Sequence, residues 1–306
     1  MLRGPRLRRP LQALVVLAVA VVATACTSSR TTPSSTLAEP LPSLTTASYA
    51  SPTLERIAER GRLRVGVKFD VPLFGYQDPV TKDLSGFDIE IARGIAAELF
   101  PDDPQSQRRI DFVEALSRNR ENLLIADSVD LIVSTYTIND ARKQLVDFAG
   151  PYYIAGQDIL ARKTDVDSGK IRGVSDVNSL RICSVTGSTS LANLRAAAPG
   201  ADTSITKDKY SECFEALRRR QVDAMTTDDV ILLGLAQNFP EFAIAGNPFR
   251  TEPYGIGVRK GDAAMRDRIN EILQNMFENG QWAEAFRKTV GTTGALVPIH
   301  PELEID

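Results

Sequence analysis

The sequence predicts an α/β fold of two lobes in which the first lobe is discontinuous. Three observations carry that expectation. A strand–helix alternation occurs twice, the chain crosses between the two runs near residues 156–162, and it returns near 247–257 to finish with helices. Sheets of this kind bind ligands outside the carboxyl ends of their strands, so a cleft should face those ends. At 306 residues, 43% hydrophobic and 25% charged, the chain can bury a sizeable core.

The elements follow in order. Arg3, Arg6, Arg8 and Arg9 precede an apolar run from Leu11 to Ala23, too short to span a bilayer comfortably and right for a signal peptide over residues 1–25. Val22-Ala23-Thr24-Ala25-Cys26 resembles the lipobox of bacterial lipoproteins, which implies acylation at Cys26. An ordinary signal peptide with an incidental cysteine is the alternative. Residues 26–52 are rich in Ser, Thr and Pro and cannot bury enough surface to order themselves; as a coil they reach roughly 25–30 Å. The net charge of −3 becomes more negative once a leader carrying four arginines is lost. Nothing here suggests nucleic acid, and a bound anion would need local cations.

The first part of lobe 1 spans residues 53–157. Ser51-Pro52 is a helix-start signature, Leu54, Ile57 and Ala58 form one face, and Gly61 ends the helix. Leu63–Val67 reads as a strand whose following turn carries Lys68 and Phe74. Gly86-Phe87-Asp88 opens a helix with an apolar stripe at Phe87, Ile91, Ile95 and Leu99, which is core. A strand at Ile110–Val113 precedes Asn119-Arg120, an arginine in a helix's first turn where the macrodipole disfavours it. Val129–Val133 reads as a buried strand delivering Thr135 and Thr137 to its carboxyl end, with Asn139 or Asp140 capping a short helix that carries Arg142. A guanidinium matches a carboxylate bidentately.

Lobe 2 spans residues 158–250. Asp158–Ala161 is the crossing strand and Lys163 to Ser175 a polar loop. A strand through Val185 leads into Thr186-Gly187-Ser188-Thr189-Ser190 and a helix, an anion-friendly start that lacks the Gly-Lys of a phosphate loop. A short strand begins at Ile205, Tyr210–Leu217 is helical, and Val222–Thr226 ends at Asp228 and Asp229. Residues 251–292 return to lobe 1 through Pro253-Tyr254, then a helix with Met265, Ile269, Ile272, Leu273 and Met276 in its core stripe, with Trp282 and Phe286 packing the last helix. Residues 293–306 form a tail without a readable signal.

Asp130, Thr135-x-Thr137-x-x-x-x-Arg142, Asp147-Phe148 and Pro151-Tyr152-Tyr153 resemble the polar amino-acid-binding proteins of ABC transporters, the family 3 solute-binding proteins with the two-lobe type II periplasmic fold. The likeness covers about residues 54–290. It implies that Arg142, with Thr137 and Thr189, takes an α-carboxylate and Asp228 the α-ammonium. It further implies that Lys68, Phe74, Arg120, Thr135, Ser188 and Tyr254 line the ligand. Asn119-Arg120 matches members that bind glutamate or aspartate, so an acidic side chain is favoured, with amides as runner-up. A structural ion pair is the other reading of Arg120. With Cys26 acylated, Cys183 and Cys213 remain; relatives carry a cysteine pair in this lobe, which implies a disulfide, two buried thiols being the alternative.

The expected mechanism is hinge closure on the ligand and presentation to an ABC permease. A sensor component signalling through a transmembrane receptor is the first alternative. An enzyme of the same fold is the second: a lone histidine, His300, excludes a histidine triad or an HExxH zinc site. No cofactor and no metal are expected, and the protein should be a monomer lipid-anchored on the outer face of the cytoplasmic membrane.

Overall fold

The computed structural model describes residues 50–304. The leader, Cys26 and nearly all of the expected tether lie outside the described residues. Ser51 and Pro52, read both as the end of the tether and as a helix start, belong to the fold as the start of that helix. Ser51 caps helix α1 (Pro52–Arg60) by accepting from Leu54 N–H, and its hydroxyl also donates to Asp262. Gly61 ends the helix at φ 64, where L side chains are strained.

Strand β1 (Leu63–Val67) leads to a separate small sheet of β2 (Asp70–Val71), β3 (Gly75–Gln77) and β4 (Leu84–Ser85). Helix α2 (Phe87–Leu99) buries the expected Phe87, Ile91 and Ile95, and Asp88 with them. Strand β5 (Ile110–Glu114), helix α3 (Arg120–Ile125), strand β6 (Leu131–Ile132) and helix α4 (Asp140–Lys143) follow. β6 is shorter than the expected Val129–Val133 strand. Asp130 and Val133 N–H still bond to β1, but Thr135 turns the chain at φ 42 and the ladder stops.

The crossing is strand β7 (Val146–Arg162), far longer than the four residues expected. Gly150 and Pro151 lie within it: Gly150 N–H donates to Asn270 and Pro151 has no N–H to satisfy. A short helix, α5 (Lys163–Asp167), occupies part of the expected polar loop and carries a Lys163–Asp167 ion pair one turn apart. Strand β8 (Ile182–Val185), helix α6 (Thr189–Ala197), strand β9 (Thr206–Lys207), helix α7 (Tyr210–Arg218), strand β10 (Ala224–Asp228), helix α8 (Asp229–Ala236) and strand β11 (Phe242–Ile244) build the second lobe. The Cys183–Cys213 disulfide ties β8 to α7.

Strand β12 (Arg250–Arg259) returns antiparallel to β7, with a bulge between Tyr254 and Ile256. Among the described residues the principal sheet runs β5-β1-β6-β12-β7-β10-β8-β9, with β11 paired on β7, so both lobes hang from the β7–β12 ribbon. Helix α9 (Ala263–Glu278) buries all five residues of its expected stripe, and α10 (Gln281–Lys288) buries Trp282 and Phe286. The tail, which had no readable signal in the sequence, has no regular structure beyond residue 294, yet it is docked. His300 stacks on Phe277 at 4.3 Å, Glu304 N–H donates to Gly150 O, and the Glu304 carboxylate pairs with Lys143.

Candidate functional site

Three cations converge where β1, α3 and α4 meet. Lys68 leaves the end of β1 fully buried; its Nζ donates to Ser117 Oγ at 2.9 Å and lies 5.6 Å from the Tyr210 ring. Burial, with help from Arg120 and Arg142, pushes its pKa down to about 7 against the pull of Asp70 and Glu114. Arg120 at the first position of α3 donates from Nη1 to the carbonyls of Ser134 (3.1 Å) and Thr135 (3.3 Å), and its Nε is buried without a partner. Arg142 follows the Asn139 cap of α4 and donates to Thr137 O at 2.7 Å and Gly187 O at 3.3 Å. Both guanidinium groups lie over Tyr136, 4.3 and 4.8 Å from its centroid. Burial and Arg120 lower the Arg142 pKa to about 10.

Carboxylates offset part of this charge. Asp88 accepts Thr135 N–H at 3.0 Å and Tyr152 Oη at 2.5 Å, holding the left-handed Thr135 in place. Burial raises its pKa to about 6 although both bonds and the nearby Lys68 and Arg120 oppose the shift. Glu121 accepts Tyr136 Oη at 2.7 Å and lies 3.5 Å from Arg142 Nε.

Asp228 ends β10 on the second lobe. It accepts Tyr254 Oη at 2.6 Å and Ser190 Oγ at 3.4 Å. Its side chain does not cap α8; the neighbouring Asp229 accepts Val230 N–H instead. Burial and the nearby Glu252 push Asp228 up to about 8. Glu252, 2% exposed on β12, accepts Thr189 Oγ1 at 2.8 Å and Asn193 Nδ2 at 2.7 Å.

The expected residues come together unequally. Lys68, Arg120, Arg142, Thr135 and Thr137 share the first-lobe wall, and Thr189 faces Thr137 at 3.4 Å between hydroxyls. Ser188, expected as a ligand donor, is instead the cap of α6: its hydroxyl donates to Val185 O and accepts Leu191 N–H, so its proton is spent within the turn. Phe74 packs edge-on against Phe87, Tyr153 and Tyr254 in an aromatic cluster. The lobes touch over the site through Arg118–Asp208, Glu114–Lys209 and Ser211 N–H to Asp70. Gly187, at φ 78, fits this contact because a Cβ there would lie 2.6 Å from Arg118 Cα. An open cavity of about 670 Å³ lined by Phe69, Tyr76, Phe214 and Phe239 lies elsewhere, and neither Arg142 nor Asp228 lines it.

Asp88, Glu121, Tyr136 and Glu252 were given no role from sequence. Glu252 had a readable signal: it stands two residues before Tyr254 on a strand, so both side chains share a face.

The family model for bacterial extracellular solute-binding proteins, family 3, matches residues 63–292. The chain is 38% identical to the ABC transporter glutamine-binding protein GlnH of Bacillus subtilis over 239 residues, 78% of this chain and 84% of the relative. It is 35% identical to the glutamate-binding protein GluB of Corynebacterium glutamicum over 246 residues, 78% and 82% of the two chains. The solute receptor for L-cysteine of Neisseria gonorrhoeae superposes with a TM-score of 0.73 at 28% identity, covering 80% of this chain and 95% of that one. With a matching family model over most of its length, relatives above 30% identity and a shared two-lobe α/β architecture, the chain belongs to the family 3 bacterial extracellular solute-binding proteins.

Proposed function

We propose that the protein captures a polar amino acid by closing its two lobes and presents it to an ABC permease. The observation that carries the reading is the separation of buried charge: Lys68, Arg120 and Arg142 on one wall, Asp228 on the other. A desolvated zwitterion needs both of its charges paired. Arg142 and Thr137 receive the α-carboxylate, and Asp228 receives the α-ammonium. The hinge lies in β7 and β12, near 153–157 and 250–254. Glutamine- and glutamate-binding relatives support this ligand class.

An acidic side chain is the favoured ligand end. The positive surplus expected from sequence is reduced by Asp88 and Glu121, so charge counting no longer decides it. Donor chemistry supports it. Ser117 takes one of the three Lys68 protons, and Arg120 Nε has no acceptor. These groups only donate, and a carboxylate only accepts, whereas an amide brings an NH₂ needing an acceptor of its own. Calorimetry with glutamate, aspartate, glutamine and asparagine tests this. Losing one partner of a buried pair costs about 3–5 kcal/mol, roughly a hundredfold or more in affinity. Arg142→Ala should therefore abolish binding of all four ligands, and Arg120→Ala should weaken the acids far more than the amides. Equal losses for acids and amides would leave Arg120 a structural residue.

The family is extracellular, and among the described residues no helix is long and apolar enough to cross a membrane. A lipid anchor at Cys26 would hold the domain as a monomer on the outer face of the cytoplasmic membrane. Cys26→Ala should move the protein to the soluble extracytoplasmic fraction; retention in washed membranes would refute the anchor. The Bacillus subtilis relative is the binding protein of an ABC transporter, which supports a permease partner over a sensor receptor or catalysis.

A further inference from the structure

We propose that Glu252 is a positioning residue that fixes the direction of the Thr189 hydroxyl proton, so that Thr189 shows the cleft lone pairs rather than a donor. The consequence for ligands rests on the amino-acid reading above; the hydroxyl direction does not.

The argument is one of proton counting through a buried network. An ionised carboxylate only accepts, and both Glu252 oxygens are used, by Thr189 Oγ1 at 2.8 Å and by Asn193 Nδ2 at 2.7 Å. Asn193 cannot be turned over. Its second N–H donates to Gln157 Oε1 at 2.9 Å, and reversal would set its carbonyl against two acceptors. Gln157 is fixed in turn, since its Nε2 donates to Ser190 O and to Thr226 Oγ1, and the Thr226 hydroxyl donates on to Asp158 O. Each proton therefore has one direction, and Glu252 is the acceptor at the end of the chain. A threonine hydroxyl has a single proton. With that proton on Glu252, the 3.4 Å contact between Thr137 and Thr189 can be donated only by Thr137.

Ser188 and Thr189 thus bring no hydroxyl proton to an anion, because the Ser188 proton sits on Val185 O and the Thr189 proton on Glu252. The α-carboxylate is then held by Arg142 and Thr137, and the Thr189 side chain contributes no donor. Glu252→Gln reverses this. Asn193 still needs an acceptor, so the new carbonyl oxygen faces Asn193 and the new NH₂ donates to Thr189 Oγ1. The Thr189 proton is released toward the cleft, where a hydrogen bond to a charged group raises affinity by roughly tenfold or more.

Two measurements test this. Calorimetry on the full chain with L-glutamate and L-glutamine should show Thr189→Val changing affinity by less than about threefold, Glu252→Gln raising it by about tenfold, and the rise vanishing in Glu252→Gln/Thr189→Val. A purely structural Glu252 predicts loss, not gain, in Glu252→Gln, and either that loss or a large Thr189→Val penalty overturns the proposal. Neutron diffraction from deuterated crystals of the wild type reads the same point without a ligand. A deuteron on Thr189 Oγ1 aimed at Glu252 supports it, and a deuteron on the Glu252 carboxyl overturns it. If the wild type binds neither amino acid, the ligand reading fails while the diffraction result still decides the proton direction.

Discussion

Reducing the Cys183–Cys213 bridge should lower stability by an amount set by the loop it closes. The cysteines are 30 residues apart and join β8 to α7, both fully buried. Loop-closure entropy for that separation is worth roughly 3.6 kcal/mol at 25 °C, because the cross-link removes extended conformations from the unfolded chain. Urea unfolding of the wild type with and without reductant isolates the cross-link, since no side-chain volume changes. The reduced protein should lose about 3–4 kcal/mol, and its denaturant dependence should steepen because its unfolded state exposes more surface. Cys183→Ala/Cys213→Ala should lose somewhat more, through the missing sulfur contacts. A loss under about 1 kcal/mol on reduction, with unchanged slope, would refute the entropic account.

Two further predictions concern pH in the ligand-free protein. Asp228 is raised to about 8, so its neutral form favours the fold, and the stability it contributes is lost as pH rises from about 4 through about 8. Asp228→Asn should therefore melt at progressively higher temperature than wild type across that window; a constant difference would show that Asp228 ionises freely in the fold. Lys68 is lowered to about 7, so its contribution is lost as pH falls from about 10.5 to about 7. Lys68→Met should gain on wild type as pH falls through that range, and a gain confined to pH above 10 would contradict the burial argument.

The parts of the molecule legible in the sequence were those written in local chemistry. The Ser51 cap, the Gly61 helix end and the stripe from Met265 to Met276 need only neighbours within a few residues to be read. Arg142 was legible because its Asn139 cap and the threonines before it lie on one short segment. Illegible features depend on partners far along the chain. The length of β7 depends on β12 and on Asn270, 120 residues beyond Gly150, so the four-residue strand expected at Asp158–Ala161 fell short. Ser188 looked like a free hydroxyl, but Val185 O takes the proton that an anionic ligand would need. Glu252 and Asp88 act through contacts 63 and 47 residues away; strand spacing places Glu252 on the face of Tyr254, but neither acid announces its distant partner.

The docked tail bears on how this protein can be handled as an optical sensor for its ligand. Glu304 is pinned to Gly150 and Lys143, and Lys143 adjoins Arg142 on a four-residue helix. A fluorescent domain fused close behind Glu304 would pull on that helix, mixing the signal with altered affinity. The turn at 79–82 suits an insertion better. Val80 there is 86% exposed, and the hydrogen bonds around it stay within the hairpin. A reporter at that turn would ride on the first lobe and leave the anchor of Arg142 untouched.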